Sequence, residues 1–297
     1  MKLAMVRSAA GTTFDRPRLA RVDDQTVQIY PDDAGTLDDY IRNPAPMALT
    51  GPSQPAPLDQ VTFDAPVRRV NRDILCTGWN YWDHFEEGYG KRGGQDPQER
   101  PAHPTFFTKG PHAIVGPTDP VAVDLELAQA WDYEVEIAVI IGTQGRSIPA
   151  ERAWEHVFGM CVANDMTARD IQRQHGGQWF KGKSIDATMP IGPWVTTMDA
   201  LDDPAALELR CLLNGQVLQQ ARVGQMAFDI PTLIAELSWG MTLYPGDVLL
   251  TGTPAGVGYA REPQILLQPG DVLVSEVVGL GRLHNAVQSV PLHEYRR

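Results

Sequence analysis

With 297 residues, 43% of them hydrophobic, the chain can bury a full core as one large domain, or as one domain with a small appendage. A formal net charge of −12 and an isoelectric point near 5.0 argue against nucleic acid as a partner, because that binding relies on basic surface to neutralise phosphates. No run approaches the roughly 18 apolar residues of a membrane span, residues 1–8 are too short an apolar stretch for a signal peptide, and the three cysteines form no C-x-x-C pair, so a cytoplasmic protein with buried thiols and no membrane partner is expected.

In chain order, residues 2–7 and 26–30 read as short strands and 37–42 as a short helix, with turns at 15–17 and 32–35. Six prolines between Asn43 and Pro66 mark extended, loop-like chain and a boundary near residue 70. Residues 1–70 are therefore expected to form a small N-terminal α/β domain, and 71–297 the main domain. A strand at 74–78 leads into a short helix at 79–88, with Asn80 as its cap. On that helix His84 and Glu87 would share a face, as an oriented base or as an ordinary surface pair. Residues 88–104 lose all apolar pattern, and a polar loop of that length inside a compact domain is expected to be a lid, spanning about 80–104 and including Gly88, Tyr89, Gly90, Lys91 and Arg92.

After a strand at 105–109, the β-branched run 132–142 carries Glu134 and Glu136 where a strand wants apolar side chains. Successive side chains alternate faces, so the two carboxylates point the same way, about 7 Å apart. By itself such a pair is also what a solvated sheet edge looks like. Asp165 ends a second apolar run, 158–165, and carboxylates ending neighbouring strands can converge. Three hard oxygen ligands with no His or Cys nearby suit one Mg²⁺ or Mn²⁺, leaving about three of six positions for water and substrate. The remaining histidines lack zinc-ligand spacing.

A helix follows to about residue 174. Residues 177–184 satisfy G-x-x-x-x-G-K-S, but no strand precedes them, and Trp179 and Phe180 would crowd a loop that wraps phosphate, so a nucleotide triphosphatase is set aside. Lys183 either brings an ammonium into the acidic pocket or is a surface lysine. Asn214-Gly215 joins a hairpin of 207–213 and 216–219, Asp229 caps a helix to residue 239, and Pro-Gly-Asp-Val-Leu occurs at 245 and again at 269 as two turn-plus-strand units. Residues 251–258 are small and either bind a carboxylate or make a plain tight turn. The expected fold is β-rich α+β with helices packed outside.

These stretches together resemble the fumarylacetoacetate hydrolase family: 132–142, Asn-Asp-Met-Thr-Ala-Arg-Asp-Ile-Gln at 164–172, Gly-Lys-Ser at 182–184, Pro-Ile-Gly-Pro-Trp at 190–194 and 245–258, in the right order from about residue 72 to 287. The resemblance implies a mixed β-sandwich roll around a metal pocket, as a homodimer. It implies Glu134, Glu136 and Asp165 as metal ligands, Lys183 beside the bound oxo acid, His84 with Glu87 as a water-activating dyad, and Gln172, Gly252 and Thr253 at the substrate. Residues 75–80 lack the additional acidic ligand of the fumarylacetoacetases proper, so the chain is similar to the smaller three-carboxylate members. The implied function is hydrolysis of 2,4-dioxo acids (acylpyruvate or fumarylpyruvate-like), leaving a pyruvate enolate that the cation stabilises and Lys183 balances. The alternatives are an oxaloacetate decarboxylase, an isomerase or decarboxylase of unsaturated oxo-diacids from aromatic degradation, and a non-enzymatic module holding a structural ion.

Overall fold

A computed structural model describes every residue except 10, 45–48, 50, 93, 95, 96, 98, 296 and 297. The expected lid and the proline-rich segment therefore lie partly outside the described residues. The centre of the molecule is a twelve-stranded mixed sheet. Its middle strand, Val135–Ile141, is antiparallel to Val157–Asn164 on one side, with Glu136 opposite Ala163, and to Val248–Leu250 on the other. Val248–Leu250 runs parallel to Ile74–Gly78, which pairs in turn with Thr105–Lys109.

Both faces of Val135–Ile141 are covered, which is why it reads as a nearly continuous apolar run. Val135, Ile137, Val139 and Ile141 pack with Leu209, Cys211, Leu273 and Leu283 of a second, five-stranded sheet. Ala138 and Ile140, on the same face as Glu136, pack with Cys76, Cys161 and Ala163 and with Leu3, Met5, Leu19 and Leu37 from the N-terminal part. This is the mixed β-sandwich roll expected from the sequence. Among the described residues, no helix is long and apolar enough to cross a membrane.

The N-terminal part is bonded directly onto the central sheet. Lys2–Ala9 pairs with Met189–Thr197 through Lys2 opposite Thr196, and Thr12–Val22, Thr26–Ile29 and Gln54–Pro57 extend the sheet outward from it. The turn expected at 15–17 is instead part of the Thr12–Val22 strand, whose pairing jumps from Arg18 opposite Val6 to Thr13 opposite Ser8. Pro17 falls in that irregularity, where a missing N–H breaks no ladder bond. Part of the proline-rich segment is also strand: Gln54–Pro57 forms the outer edge, a position in a sheet that tolerates proline. The hairpin at Asn214-Gly215 is as read, with both residues at positive φ (51° and 84°) as a two-residue I′ turn requires.

Candidate active site

Strand pairing brings the three acidic side chains together. Glu134 sits one residue before Val135–Ile141, where its N–H donates to Asn164 Oδ1 (3.0 Å) and its carbonyl accepts from the N–H of Asp165 (2.8 Å). Ligand oxygens of Glu134, Glu136 and Asp165 lie within 4.8 Å of one another, and all three residues are buried. Lys183 Nζ donates to Glu134 Oε2 (2.6 Å) and Asp165 Oδ2 (2.7 Å). Gly182 lets it approach, since a Cβ there would fall 2.5 Å from Gln172 Cα. With its ammonium held by carboxylates, and Ser184 Oγ accepting from Gly110 N–H (2.8 Å), the G-K-S stretch has no phosphate cradle.

Sequence reasoning missed three further charges. Lys109, fully buried, places Nζ 2.9 Å from Asp165 Oδ1 and donates to Met166 O (2.8 Å). Arg169 bridges Asp132 (2.9 Å) and Glu134. Asp132 also accepts from the N–H groups of Gly258 (2.7 Å) and Tyr259 (3.2 Å). The only sequence signal was a lysine closing an otherwise apolar strand, and charges inside a run read as strand and helix.

Three cations thus pair with Asp132, Glu134 and Asp165, and Glu136 is in none of those pairs among the described residues. It accepts the N–H of Gly252 (2.6 Å). Burial, with Asp165 and Glu134 alongside, pushes its carboxyl well above the ordinary range. Burial also works against ionised Glu134, but Lys183, Arg169 and His84 outweigh it and hold that carboxyl at about 2. Lys109 is pushed down by burial against the pull of Asp165. An all-oxygen, convergent donor set with one carboxylate lacking a cation fits a hard divalent ion, and Asp165 Oδ1 makes no well-directed hydrogen bond within the protein.

The Trp82–Glu87 helix supplies the candidate base. His84, buried and lining the pocket, has Nδ1 2.8 Å from Glu87 Oε1, while Glu87 Oε2 accepts from Gly256 N–H (2.7 Å). A carboxylate accepts only, so the proton lies on Nδ1 and Nε2 is the basic nitrogen. Asn80 is not the helix cap. Its amide instead bonds Thr251 O (2.8 Å) and both backbone groups of Phe228, fixing the strand end against the 251–258 loop.

Among the expected substrate contacts, Gln172 and Thr253 line the pocket. Thr253 Oγ1 donates to Val135 O (2.9 Å) and accepts from Gln219 (2.8 Å), and Gln172 accepts from Arg169 (3.3 Å). Gly252 acts through its backbone. Its φ is +93°, and a Cβ would lie 2.6 Å from that of Asn80. Of the five lid residues, Arg92 lines the pocket, its guanidinium 5.3 Å from the Trp79 ring centroid and 5.1 Å from that of Phe85. Gly88 packs against Tyr259 and Arg92, Gly90 turns at φ +74°, Lys91 donates to Ala260 O, and Tyr89 is exposed. Arg169, Arg173 and Tyr259 complete the wall, both guanidiniums lying over the Tyr259 ring (4.5 and 5.0 Å). A cation site, an oriented imidazole and a cationic wall in one pocket are suited to proton transfer on a small anionic carbonyl compound.

Residues 73–288 match the family model for the C-terminal domain of fumarylacetoacetate (FAA) hydrolase. Over 232 residues the chain is 43% identical to a human protein, oxaloacetate tautomerase FAHD2A, mitochondrial, covering 78% of this chain and 71% of that one. It is 40% identical over 230 residues to oxaloacetate tautomerase YisK of Bacillus subtilis (strain 168), covering 77% and 74%. Among solved structures, fumarylacetoacetate hydrolase (EaFAH) from psychrophilic Exiguobacterium antarcticum superposes with a TM-score of 0.82 at 37% identity, over 98% of this chain and all of that one.

Proposed function

Because the chain belongs to the fumarylacetoacetate hydrolase family, and is an enzyme of that family, we propose that it interconverts the keto and enol forms of a small 2-oxo diacid, with oxaloacetate as the reference substrate and one Mg²⁺ or Mn²⁺ per subunit. The observation that carries this reading is that His84, held by Glu87, lines the same pocket as Glu134 and Glu136. A base beside a cation site is what enolisation needs. Glu134, Glu136 and Asp165 would hold the ion, which when bound supplies Lewis-acid polarisation of the keto oxygen and stabilises charge as it develops there.

The protein's own groups supply the rest. His84 Nε2 takes the proton from the carbon between the keto group and the distal carboxylate, and Glu87, fixed by Gly256, stabilises the imidazolium that forms. His84 then returns the proton to the oxygen, giving the enol, and the reverse sequence regenerates the ketone. Lys183 and Arg169 offset negative charge at the pocket floor, while Arg92 and Arg173 add positive charge to the wall, which suits a dianion. Trp79, Phe107 and Trp179 form an apolar side that limits water around the reacting carbon.

The second reading is hydrolysis of a 2,4-dioxo acid, in which His84 takes its proton from water that attacks the distal carbonyl. The same dyad supports it, and a structural neighbour bears the name of a hydrolase. Decarboxylation of oxaloacetate, or isomerisation of an unsaturated oxo-diacid, would pass through the same enolate. A module with only a structural ion would need no oriented imidazole. We also carry a cytoplasmic homodimer in this proposal.

The test follows enol absorbance and pyruvate together, for oxaloacetate and for a small panel of acylpyruvates, each with Mg²⁺, Mn²⁺ or chelator. Chelator-sensitive approach to keto–enol equilibrium without pyruvate is the expected result. Pyruvate from oxaloacetate would replace the tautomerase with a decarboxylase, and acylpyruvate cleavage with oxaloacetate untouched would leave the hydrolase.

A further inference from the structure

Arg261 spends its guanidinium on two backbone carbonyls. Its Nε donates to Gly256 O (3.0 Å), and its Nη2 donates to Leu218 O in the Gln216–Arg222 strand of the five-stranded sheet. Tyr133 OH donates to the same Gly256 oxygen (3.2 Å). On the other side of its Cα, Gly256 N–H donates to Glu87 Oε2 (2.7 Å), and Glu87 Oε1 holds His84 Nδ1 (2.8 Å). A continuous chain of hydrogen bonds therefore runs from Arg261 to the imidazole.

Gly256 is the joint in that chain that most needs holding. Its φ is +108°, and without a Cβ the two peptide units that meet there turn easily about it. The N–H that serves Glu87 belongs to one unit, and the carbonyl that Arg261 and Tyr133 hold belongs to the other. Fixing the second unit removes the freedom through which the first would turn. Both clamps are themselves anchored. Tyr133 is fully buried, and Arg261 directly follows the Gly258–Ala260 turn, whose Gly258 and Tyr259 N–H groups donate to Asp132 (2.7 and 3.2 Å). Gln219, next to Leu218, ties the same loop down at Thr253 Oγ1 and Pro254 O (2.8 Å each). A planar guanidinium reaches both of its acceptors at once, so little is lost in ordering it.

We infer that Arg261, with Tyr133, is a positioning residue for the His84–Glu87 dyad: by clamping the Gly256 carbonyl, the two aim its N–H at Glu87 and so fix the imidazole at the pocket. Both act through Gly256 and Glu87 and not on the substrate. A base displaced from the reacting carbon loses rate in the proton-transfer step, while binding of the substrate is left as it was. This inference rests on the reading of His84 as the base and extends it to residues that hold the dyad from behind.

The experiment measures deuterium uptake into the methylene of oxaloacetate for Mn²⁺-loaded wild type, Arg261→Met and Tyr133→Phe, with Mn²⁺ affinity taken by calorimetry. Each substitution is also made in a Glu87→Gln background, where the amide oxygen can serve His84 or Gly256 but not both, so the chain is cut. Arg261→Met should lower kcat about tenfold with KM and Mn²⁺ affinity unchanged. Tyr133→Phe, which removes one hydrogen bond and keeps the ring, should lower kcat about threefold. In the Glu87→Gln background neither should lower the rate further, because the link through which it acts is already broken. Wild-type kcat in both variants would overturn the inference alone. So would equal fold losses in the two backgrounds, a loss in KM in place of kcat, or a loss of Mn²⁺ affinity, each of which gives these side chains a role independent of the dyad. Where Arg261→Met fails to fold, Tyr133→Phe decides by the same criteria. Wild-type exchange no faster than with Mn²⁺ alone would remove the reading of His84 as the base, and the inference with it.

Discussion

Lys183 stands between two carboxylates that would otherwise face each other across a few ångströms of buried space. Burial would lower its pKa, but Asp165 and Glu134 hold it above the ordinary lysine value, so it stays charged. Lys183→Met removes the cation and leaves its partners uncompensated, a change that costs about 3–5 kcal/mol when one member of a buried pair is lost. The metal-free variant should melt well below wild type, and Mn²⁺ should restore more stability to it than it adds to wild type. Calorimetry with chelator and with Mn²⁺ reads both effects, and equal melting temperatures without metal would mean that Lys183 is not balancing the floor. At this scale, Glu134 and Glu136 were legible because two carboxylates on one face of a nearly continuous apolar run, with Asp165 ending a second such run, point to a shared ligand. Lys109 and Asp132 were not, because their roles depend on which distant strand or turn lies beside them, and no local spacing encodes that.

The loop at 251–258 connects the parts of the site. Its small residues left open whether it binds a carboxylate or merely turns, and the structure shows it holding the protein's own. Gly252 N–H bonds Glu136 and Gly256 N–H bonds Glu87, and the turn that follows bonds Asp132 through Gly258 and Tyr259. The two glycines separate the loop's two roles. Gly252→Ala forces a Cβ against Asn80 at φ +93°, costing about 1–3 kcal/mol and disturbing Glu136, so metal affinity should fall. Gly256→Ala meets Leu218 O at φ +108° and disturbs Glu87, so turnover should drop about tenfold or more while metal affinity holds. Parallel metal titrations and rate measurements check the pair, and identical profiles for the two variants would refute this division. The same contrast explains the misread Asn80. Its position before a helix suggested a cap, but the amide serves a neighbour far away in sequence, and local pattern cannot see that.

On the scale of the whole molecule, the N-terminal strands continue the catalytic sheet and share its core, and a charge cluster pins them to it. Arg7 bonds Asp64 (2.6 Å) and Asp119 (2.7 Å), and Arg68 also pairs with Asp64. Burial opposes ionisation of both aspartates, but the arginines, with Gly116 N–H at Asp119, win and hold both below their ordinary 3.8. A depressed carboxyl contributes stability that is fully present above 3.8 and is lost as pH falls through the lowered value. Hydrogen exchange should therefore show the N-terminal strands losing protection first on acidification below that point. Uniform loss across the sheet would contradict it. The order of strands around the catalytic sheet was legible only as a class, because the sequence marks where strands start and stop but not that residue 2 lies beside residue 196.

In the function proposed above, His84 moves a proton at carbon beside a cation that Glu134, Glu136 and Asp165 would hold. The most direct measurement is deuterium uptake from D₂O into the methylene of oxaloacetate, with Mn²⁺ alone as baseline, for wild type, wild type with chelator, and His84→Ala. Exchange far above baseline in wild type, returning to baseline with chelator and in His84→Ala while that variant binds Mn²⁺ normally, is the predicted result. Exchange that persists in His84→Ala at the wild-type rate would rule out His84 as the base.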